Sequence, residues 1–230
     1  MGPRFNISGM SEVGWLTVAF LALFFGVPEL WRRGVLLAAR RVVYQPLPAP
    51  LEGDFAQAFH ETQAWALERG FQPGVAVELR VSLKGESSRL ALTGYWRRRD
   101  GRVALSLLTQ GGRFYYDFDT SFEGVDLTTT NYPGHLGHPC VFNERFRVQV
   151  FPGLGLDELY ERHREAMTWL EHTLRRPPLA VEEVLPWMKM YQKRRMEELS
   201  RCPLFPLRFW LWLVLRRRYL NRPVWEISPR

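Results

Sequence analysis

Hydrophobic and polar positions follow two different periods along this chain, and the change of period predicts its elements. From residue 54 to residue 69, apolar side chains recur at helical spacing. Asp54 suits the N-cap of this helix, and Gly70 with Pro73 suits its end. One face of the predicted helix carries Phe55, Ala58, Phe59, Thr62, Trp65 and Ala66.

Alternating apolar and polar positions begin at Val75 and predict β-strands. Asp100 and Gly101 are typical of a hairpin turn within this region. A second helix is predicted between Gly155 and Pro177, with His163 on its apolar stripe as a hydrogen-bonded core histidine. The predicted strands cover residues 75–83, 90–96, 103–107, 113–119, 125–131 and 145–151. The stripe of the second helix carries Leu156, Leu159, Tyr160, His163, Met167, Leu170 and Leu174.

Residues 54–176 are therefore predicted to form one α+β domain. Its antiparallel sheet of about five or six strands would carry both amphipathic helices on one face. A small open barrel and a ligand-holding half-barrel, with the second helix across its mouth, are the alternatives.

The segment before this domain contains an uncharged run, residues 13–28, with Trp15 and Trp31 near its two ends. A helix of this length spans about 24 Å, and indole rings favour the membrane interface, so the run predicts an N-terminal transmembrane helix. A cleaved signal peptide and a buried core helix are the alternatives. Residues 1–43 are assigned to this anchor and its basic flank, and residues 44–53 to a proline-rich linker.

The charges that follow the run predict its orientation. Arg32, Arg33, Arg40 and Arg41 lie on its C-terminal side, which places the main domain in the cytoplasm of a single-pass protein of the cell membrane. Two widely spaced cysteines, at positions 140 and 202, form no disulfide framework, in agreement with that location.

Residues 177–230 form a basic, tryptophan-rich region that is predicted to associate with the membrane. The chain has a formal charge of +7, and this charge is concentrated after residue 186. A helix is predicted from Pro186, and the apolar segment 203–215, followed by arginines, predicts a second helix that lies in the interface of an anionic bilayer. Docking on a membrane partner and ordinary core packing are the alternatives. The predicted membrane-contacting residues are Trp15, Phe20, Phe24, Trp31, Phe209, Trp210, Trp212, Arg216, Arg217 and Arg218.

Candidate chemistry is confined to one loop. His135, His138 and Cys140 have ligand types and spacing that suit zinc, with Asp117 or His163 as a fourth ligand. The alternative is a glycine- and proline-rich turn without metal, and the expected cofactor is none.

Other motifs add little to this picture. Asp117 and Asp119 are interpreted as strand-end carboxylates that accept turn hydrogen bonds. The sequence has no P-loop, dinucleotide-binding glycine pattern, CxxCH or HExxH motif. The central domain is acidic overall, which argues against nucleic acid as a partner.

The sequence therefore favours a membrane-anchored, non-enzymatic interaction module or accessory subunit of a membrane complex. Its predicted partners are the bilayer, with anionic lipid at the C-terminal region, and a membrane-protein complex. The alternative is a membrane-proximal, metal-dependent enzyme or small-ligand binder that uses loop 132–143.

Overall fold

A computed structural model describes residues 12–83, 86–136 and 145–227 of the chain. These residues form an α+β fold in which seven strands make one mixed sheet and the helices cover both of its faces. The strands are β1 (Val42–Pro46), β2 (Val75–Leu83), β3 (Glu86–Arg97), β4 (Ala104–Gln110), β5 (Arg113–Phe122), β6 (Val125–Thr130) and β7 (Phe146–Val150). The helices are α1 (Glu12–Ala39), α2 (Gly53–Glu68), α3 (Leu156–Leu174), α4 (Val184–Arg201), α5 (Phe205–Leu215) and α6 (Val224–Ile227).

The strands lie in the sheet in their order along the chain. Neighbouring strands are antiparallel from β1 to β6, whereas β6 and β7 are parallel. The prediction of a purely antiparallel sheet with five or six strands is therefore wrong. A tight hairpin turn joins only antiparallel strands, and β6 and β7 are instead separated by the fifteen residues 131–145.

The additional strand is β1, which pairs with β2 so that Val42 lies opposite Val81. The sequence analysis divided these residues between the basic flank and the linker. The strand was not predicted because prolines at positions 46, 48 and 50 interrupt the alternation of apolar and polar residues that identifies longer strands. At the edge of the sheet, a proline that ends the strand is tolerated.

Helices α2 and α3 cover one face of the sheet, and the predicted α+β arrangement is confirmed there. Phe55 and Phe59 of α2, with Leu159 and Tyr160 of α3, pack on the central strands. Burying a side chain of this kind contributes about 1.5–3 kcal/mol, so the two apolar stripes account for the position of both helices. The strand residues beneath them include Trp96, Leu105, Leu107 and Phe118.

Helix α4 covers the opposite face, although the sequence analysis assigned it to the membrane-associated region. Trp187, Met188 and Tyr191 are buried, and they pack on Val77 and Tyr95 of the sheet. The arginines and lysines of α4 led to its assignment to the membrane. Their side chains lie beside this short apolar stripe, which is sufficient to dock the helix.

Helix α1 packs on α4 and α5 rather than on the sheet. Among the described residues, no helix combines enough length with enough apolar character to cross a membrane. The predicted transmembrane helix is therefore without support from the fold.

Candidate functional site

Helices α1 and α5 form an antiparallel pair with an aromatic seam. The Trp210 Nε1 atom donates a hydrogen bond of 2.8 Å to the backbone oxygen of Phe24, and the two rings are stacked. Farther along, the Trp31 ring lies 5.4 Å from that of Phe209 and 6.1 Å from that of Phe205. The seam fixes α5 beside the middle of α1.

The outer side of this pair is apolar and exposed. Residues 16–23 of α1 contain no charged residue, and all eight are exposed. Leu16 has 71% of its surface exposed, and Phe20 and Leu23 have 63% each. On α5, Leu211 is 52% exposed and Val214 is 76% exposed. We call this surface, residues 16–23 with Leu211 and Val214, the apolar surface.

The structure divides the predicted membrane-contacting residues into two groups. Phe20 belongs to the apolar surface, and Arg216, Arg217 and Arg218 are exposed just after α5. The aromatic residues of the seam instead contact protein. The side chain of Trp15 lies outside the described part of α1. Phe209 and Trp212 are buried, and the half-buried residues that pack on other aromatic rings are Phe24, Trp31 and Trp210.

Trp212 connects α5 to the sheet. Its Nε1 atom donates a 2.6 Å hydrogen bond to the backbone oxygen of Leu136, and its ring packs on Val148 and Val150 of β7. The indole nitrogen is thus satisfied inside the protein, and this side of α5 is closed to lipid.

A second feature is a buried layer of polar side chains beneath α4. Three polar residues alternate along β5 and three along β6, so that all six point to the same face of the sheet. Their carboxylates accept hydrogen bonds from hydroxyls on the opposite strand. The paired residues, which we call the polar layer, are Asp117 with Thr130, Asp119 with Thr128, and Ser121 with Asp126.

This arrangement differs from the strand-end turn that was expected for Asp117 and Asp119. Strand β5 continues to Phe122, so both carboxylates lie inside the strand. The Thr128 hydroxyl donates to Asp119 Oδ1 at 2.5 Å, and the Ser121 hydroxyl donates to Asp126 Oδ1 at 2.6 Å. Hydrogen bonds across the sheet therefore replace the expected turn.

Helix α4 completes the polar layer. Because Thr128 donates its proton to Asp119, the Tyr191 hydroxyl must donate to Thr128 Oγ1, at 2.6 Å. In the same way, Trp187 Nε1 donates to Ser121 Oγ at 3.1 Å. The sequence analysis missed both residues. The alternating polar positions of β5 and β6 were the available signal that this face of the sheet has a polar partner.

The two aspartates of the layer have pKa values displaced in opposite directions. Burial raises the pKa of Asp119, and the charge of Asp117 raises it further, to about 8. Burial opposes ionisation of Asp117 as well, but His135, the hydrogen bond from Thr130 and the charge of Arg195 hold its pKa below the usual value. Asp119 is therefore protonated at neutral pH, whereas Asp117 is ionised.

His135 lies at the open end of this layer. Its Nε2 atom is 2.8 Å from Asp117 Oδ2, and Arg195 Nη1 is 3.3 Å from its Nδ1 atom. Arginine can only donate, so Nδ1 accepts and the Nε2 proton is directed to Asp117. Both ring nitrogens of His135 thus have protein partners.

The predicted zinc site is only partly visible. Asp117 lies beside His135, as the sequence analysis allowed, but His138 and Cys140 lie outside the described residues. In the described part of the chain, no group of three or more His, Cys, Asp or Glu residues is placed to hold a metal. The zinc site stays a prediction.

His163 is a core histidine, as the sequence predicted. It is fully buried on the other face of the sheet, away from His135. Thr120 donates its own proton to the backbone oxygen of Arg102, so His163 Nε2 donates to Thr120 Oγ1 at 2.9 Å. Thr129 Oγ1 lies 2.9 Å from Nδ1. Burial lowers the pKa of His163 to about 3, and the ring is neutral.

Cys202 lies between α4 and α5, where it is buried and disulfide-bonded. The other cysteine of the chain, Cys140, lies outside the described residues. The expectation of no disulfide is therefore wrong, because separation along the sequence does not report separation in space. The cytoplasmic location stays a prediction.

Comparison with known proteins gives no relative. No family model, curated protein or solved structure matches the chain.

Proposed function

We propose that this protein is a membrane-attached interaction module in which the apolar surface of α1 and α5 enters the bilayer. The exposure of residues 16–23 carries this proposal. These residues complete more than two helical turns, so apolar side chains face outward on every side of the helix. A protein partner that docks on one face would leave the other faces in water, whereas lipid surrounds the helix.

The charges at the border of the apolar surface support the same environment. Arg216, Arg217 and Arg218 are exposed where α5 ends. Near an anionic membrane surface, each arginine contributes about 1 kcal/mol of attraction. The α1 helix would then act as the anchor and α5 would lie in the interface.

The polar layer connects this membrane-attached part to the domain. Tyr191 and Trp187 hold α4 on the sheet, and α4 in turn contacts α1. Arg32 of α1 donates a hydrogen bond to the backbone oxygen of Ser200 at the end of α4. The α+β domain is thereby held in a fixed position at the membrane surface, where it is available to a membrane-protein complex.

Two further expectations stay predictions. The accessory-subunit role needs a partner, and the alternative enzyme or ligand binder needs residues 137–143, which the structure does not describe. The arginine pattern favours a cytoplasmic domain.

Flotation of the full-length protein with vesicles tests the attachment. Leu23→Asp and Val214→Asp each place a charge on the apolar surface. An aspartate at the centre of a membrane helix costs about 2.5–3.5 kcal/mol, so each variant should float at least about tenfold less with vesicles that contain anionic phospholipid. Leu90→Asp is the matched control, because Leu90 is 56% exposed on β3, outside the apolar surface.

The proposal requires that an aspartate at position 23 or 214 reduces flotation more than an aspartate at position 90. Equal flotation of the Leu23→Asp, Val214→Asp and Leu90→Asp variants would show that the apolar surface does not enter lipid. Circular dichroism of each variant establishes that the fold is retained before the comparison is made.

A further inference from the structure

A basic cleft lies between the C-terminal end of α1, strand β1 and helix α4. Its volume of about 650 Å³ is in the range of small-molecule binding sites. Arg40, Lys189 and Lys193 supply cationic side chains to the cleft, and Glu197 is the one carboxylate among its lining residues. Its apolar wall is formed by Leu36, Ala39, Val42, Val43 and Met196.

The cations of this cleft outnumber its carboxylates by three to one. Within the described residues, Arg40, Lys189 and Lys193 form no ion pair. Lys189 and Lys193 lie one turn apart on α4, and like charges at this spacing destabilise a helix by a few tenths of a kcal/mol. Lys189 Nζ lies 5.6 Å from the centre of the Tyr44 ring, and both residues line the cleft. This cation–π contact helps to position the ammonium group.

The choice of lysine here is unusual for this chain. Of 31 basic residues, three are lysines, and two of the three line the cleft. A lysine ammonium is a compact charge on a flexible stem, which can follow a phosphate as a point charge. The remaining lysine, Lys84, lies outside the described residues.

We propose that this cleft binds the phosphate group of an anionic amphiphile, with its hydrocarbon part on the apolar wall. Arg40, Lys189 and Lys193 would contact the phosphate, and Leu36 and Met196 would contact the chain. Inorganic phosphate satisfies the cations but leaves the wall in water. A cleft with both cations and an apolar wall therefore fits a phospholipid better than a free anion.

The position of the cleft agrees with this ligand. Residues 36–39 follow the apolar part of α1 within the same helix, Arg40 comes directly after it, and α1 contacts both α4 and α5. In this respect the inference rests on the proposed membrane attachment, since a lipid is within reach only if α1 meets the bilayer. The binding chemistry of the cleft is independent of vesicles and is tested separately.

Isothermal titration of the full-length protein with a short-chain anionic phospholipid, dihexanoyl phosphatidylglycerol below its micelle concentration, tests the site. We expect one lipid per chain and at least tenfold weaker binding by the Lys189→Gln/Lys193→Gln double variant. The matched control is Arg99→Gln/Arg113→Gln, which removes the same charge from two exposed positions away from the cleft. Its affinity should equal that of the wild type.

Further titrations identify the ligand class. The Met196→Gln variant should bind this lipid more weakly while its response to inorganic phosphate is unchanged. Equal affinity of the wild type for inorganic phosphate and for the lipid would overturn the amphiphile assignment. Equal lipid affinity of both double variants would overturn the site itself. Because no vesicle is present, these outcomes are distinguishable from a failure of flotation by the Leu23→Asp test.

Discussion

The ionisation of Asp119 makes the free energy of unfolding depend on pH, and the Asp119→Asn variant removes this contribution. The asparagine Oδ1 atom still accepts the hydrogen bond from Thr128, so the packing beneath α4 is retained. The side chain no longer releases a proton, and the charge of Asp117 no longer has a partner to repel at high pH. The variant therefore isolates one ionisation.

The sign and magnitude of this pH dependence follow from the pKa of Asp119 in the folded and in the unfolded protein. Asp119 has a pKa of about 8 in the folded protein, against about 3.9 in the unfolded chain. Between these values the folded state holds a proton that the unfolded state has released, so the free energy of unfolding falls by about 1.4 kcal/mol per pH unit. From pH 5 to pH 7.5, the variant should gain about 3 kcal/mol relative to the wild type.

His163 acts in the opposite direction in both proteins. Its pKa of about 3 when folded lies below the unfolded value of about 6.5, so the stability linked to it is lost as pH falls below about 6.5. This contribution cancels when the variant is compared with the wild type at each pH.

Urea unfolding of the full-length protein in mild detergent, followed by tryptophan fluorescence, provides the measurement. The chain has nine tryptophans, which gives a strong signal. Asp54→Asn removes an exposed carboxylate and controls for the change in net charge. A difference between Asp119→Asn and wild type that stays constant from pH 5 to pH 7.5 would refute the reasoning, because it would mean that folding does not hold Asp119 protonated.

The remaining predictions concern packing and the disulfide. Gly94→Ala should lower the free energy of unfolding by about 1–3 kcal/mol, because its Cβ would lie 2.5 Å from the Trp96 ring and 2.8 Å from that of Phe59. Gly34→Ala, in an open position on α1, should instead raise it by up to about 1 kcal/mol, and urea unfolding measures both. Mass spectrometry after denaturation and alkylation should find Cys202 unmodified until a reductant is added; labelling without reductant would contradict the bond.

Local patterns account for what the sequence predicts correctly. The stripes of α2 and α3 and the alternation of β2 to β6 repeat over many residues, so each element is identified without knowledge of its neighbours. His163 was predicted as a core histidine because its position on a stripe is itself local information. Its hydrogen bonds to Thr120 and Thr129 depend on the sheet and were not predictable.

Non-local contacts account for the errors. The parallel pairing of β7 with β6 joins strands that are not connected by a short turn, and the docking of α4 depends on the hydroxyls of Ser121 and Thr128, more than sixty residues earlier. Sequence composition does not distinguish an aromatic residue that faces lipid from one, such as Trp212, that packs on a strand. The sequence showed that the C-terminal region needs an apolar environment, but the sheet and α1 supply part of that environment.

The order in which the chain is synthesised gives the contact between α1 and α5 a further consequence. Each strand from β2 to β6 pairs with the strand that precedes it in the chain, so the sheet can assemble as each strand leaves the ribosome. Phe24 and Trp210, in contrast, are separated by 186 positions. At translation rates of about 5–20 residues per second, α1 waits roughly 10 to 40 seconds for its partner helix. During that interval the apolar residues of α1 lack the contacts that α5 provides, so they are exposed to water unless a chaperone or another apolar environment covers them.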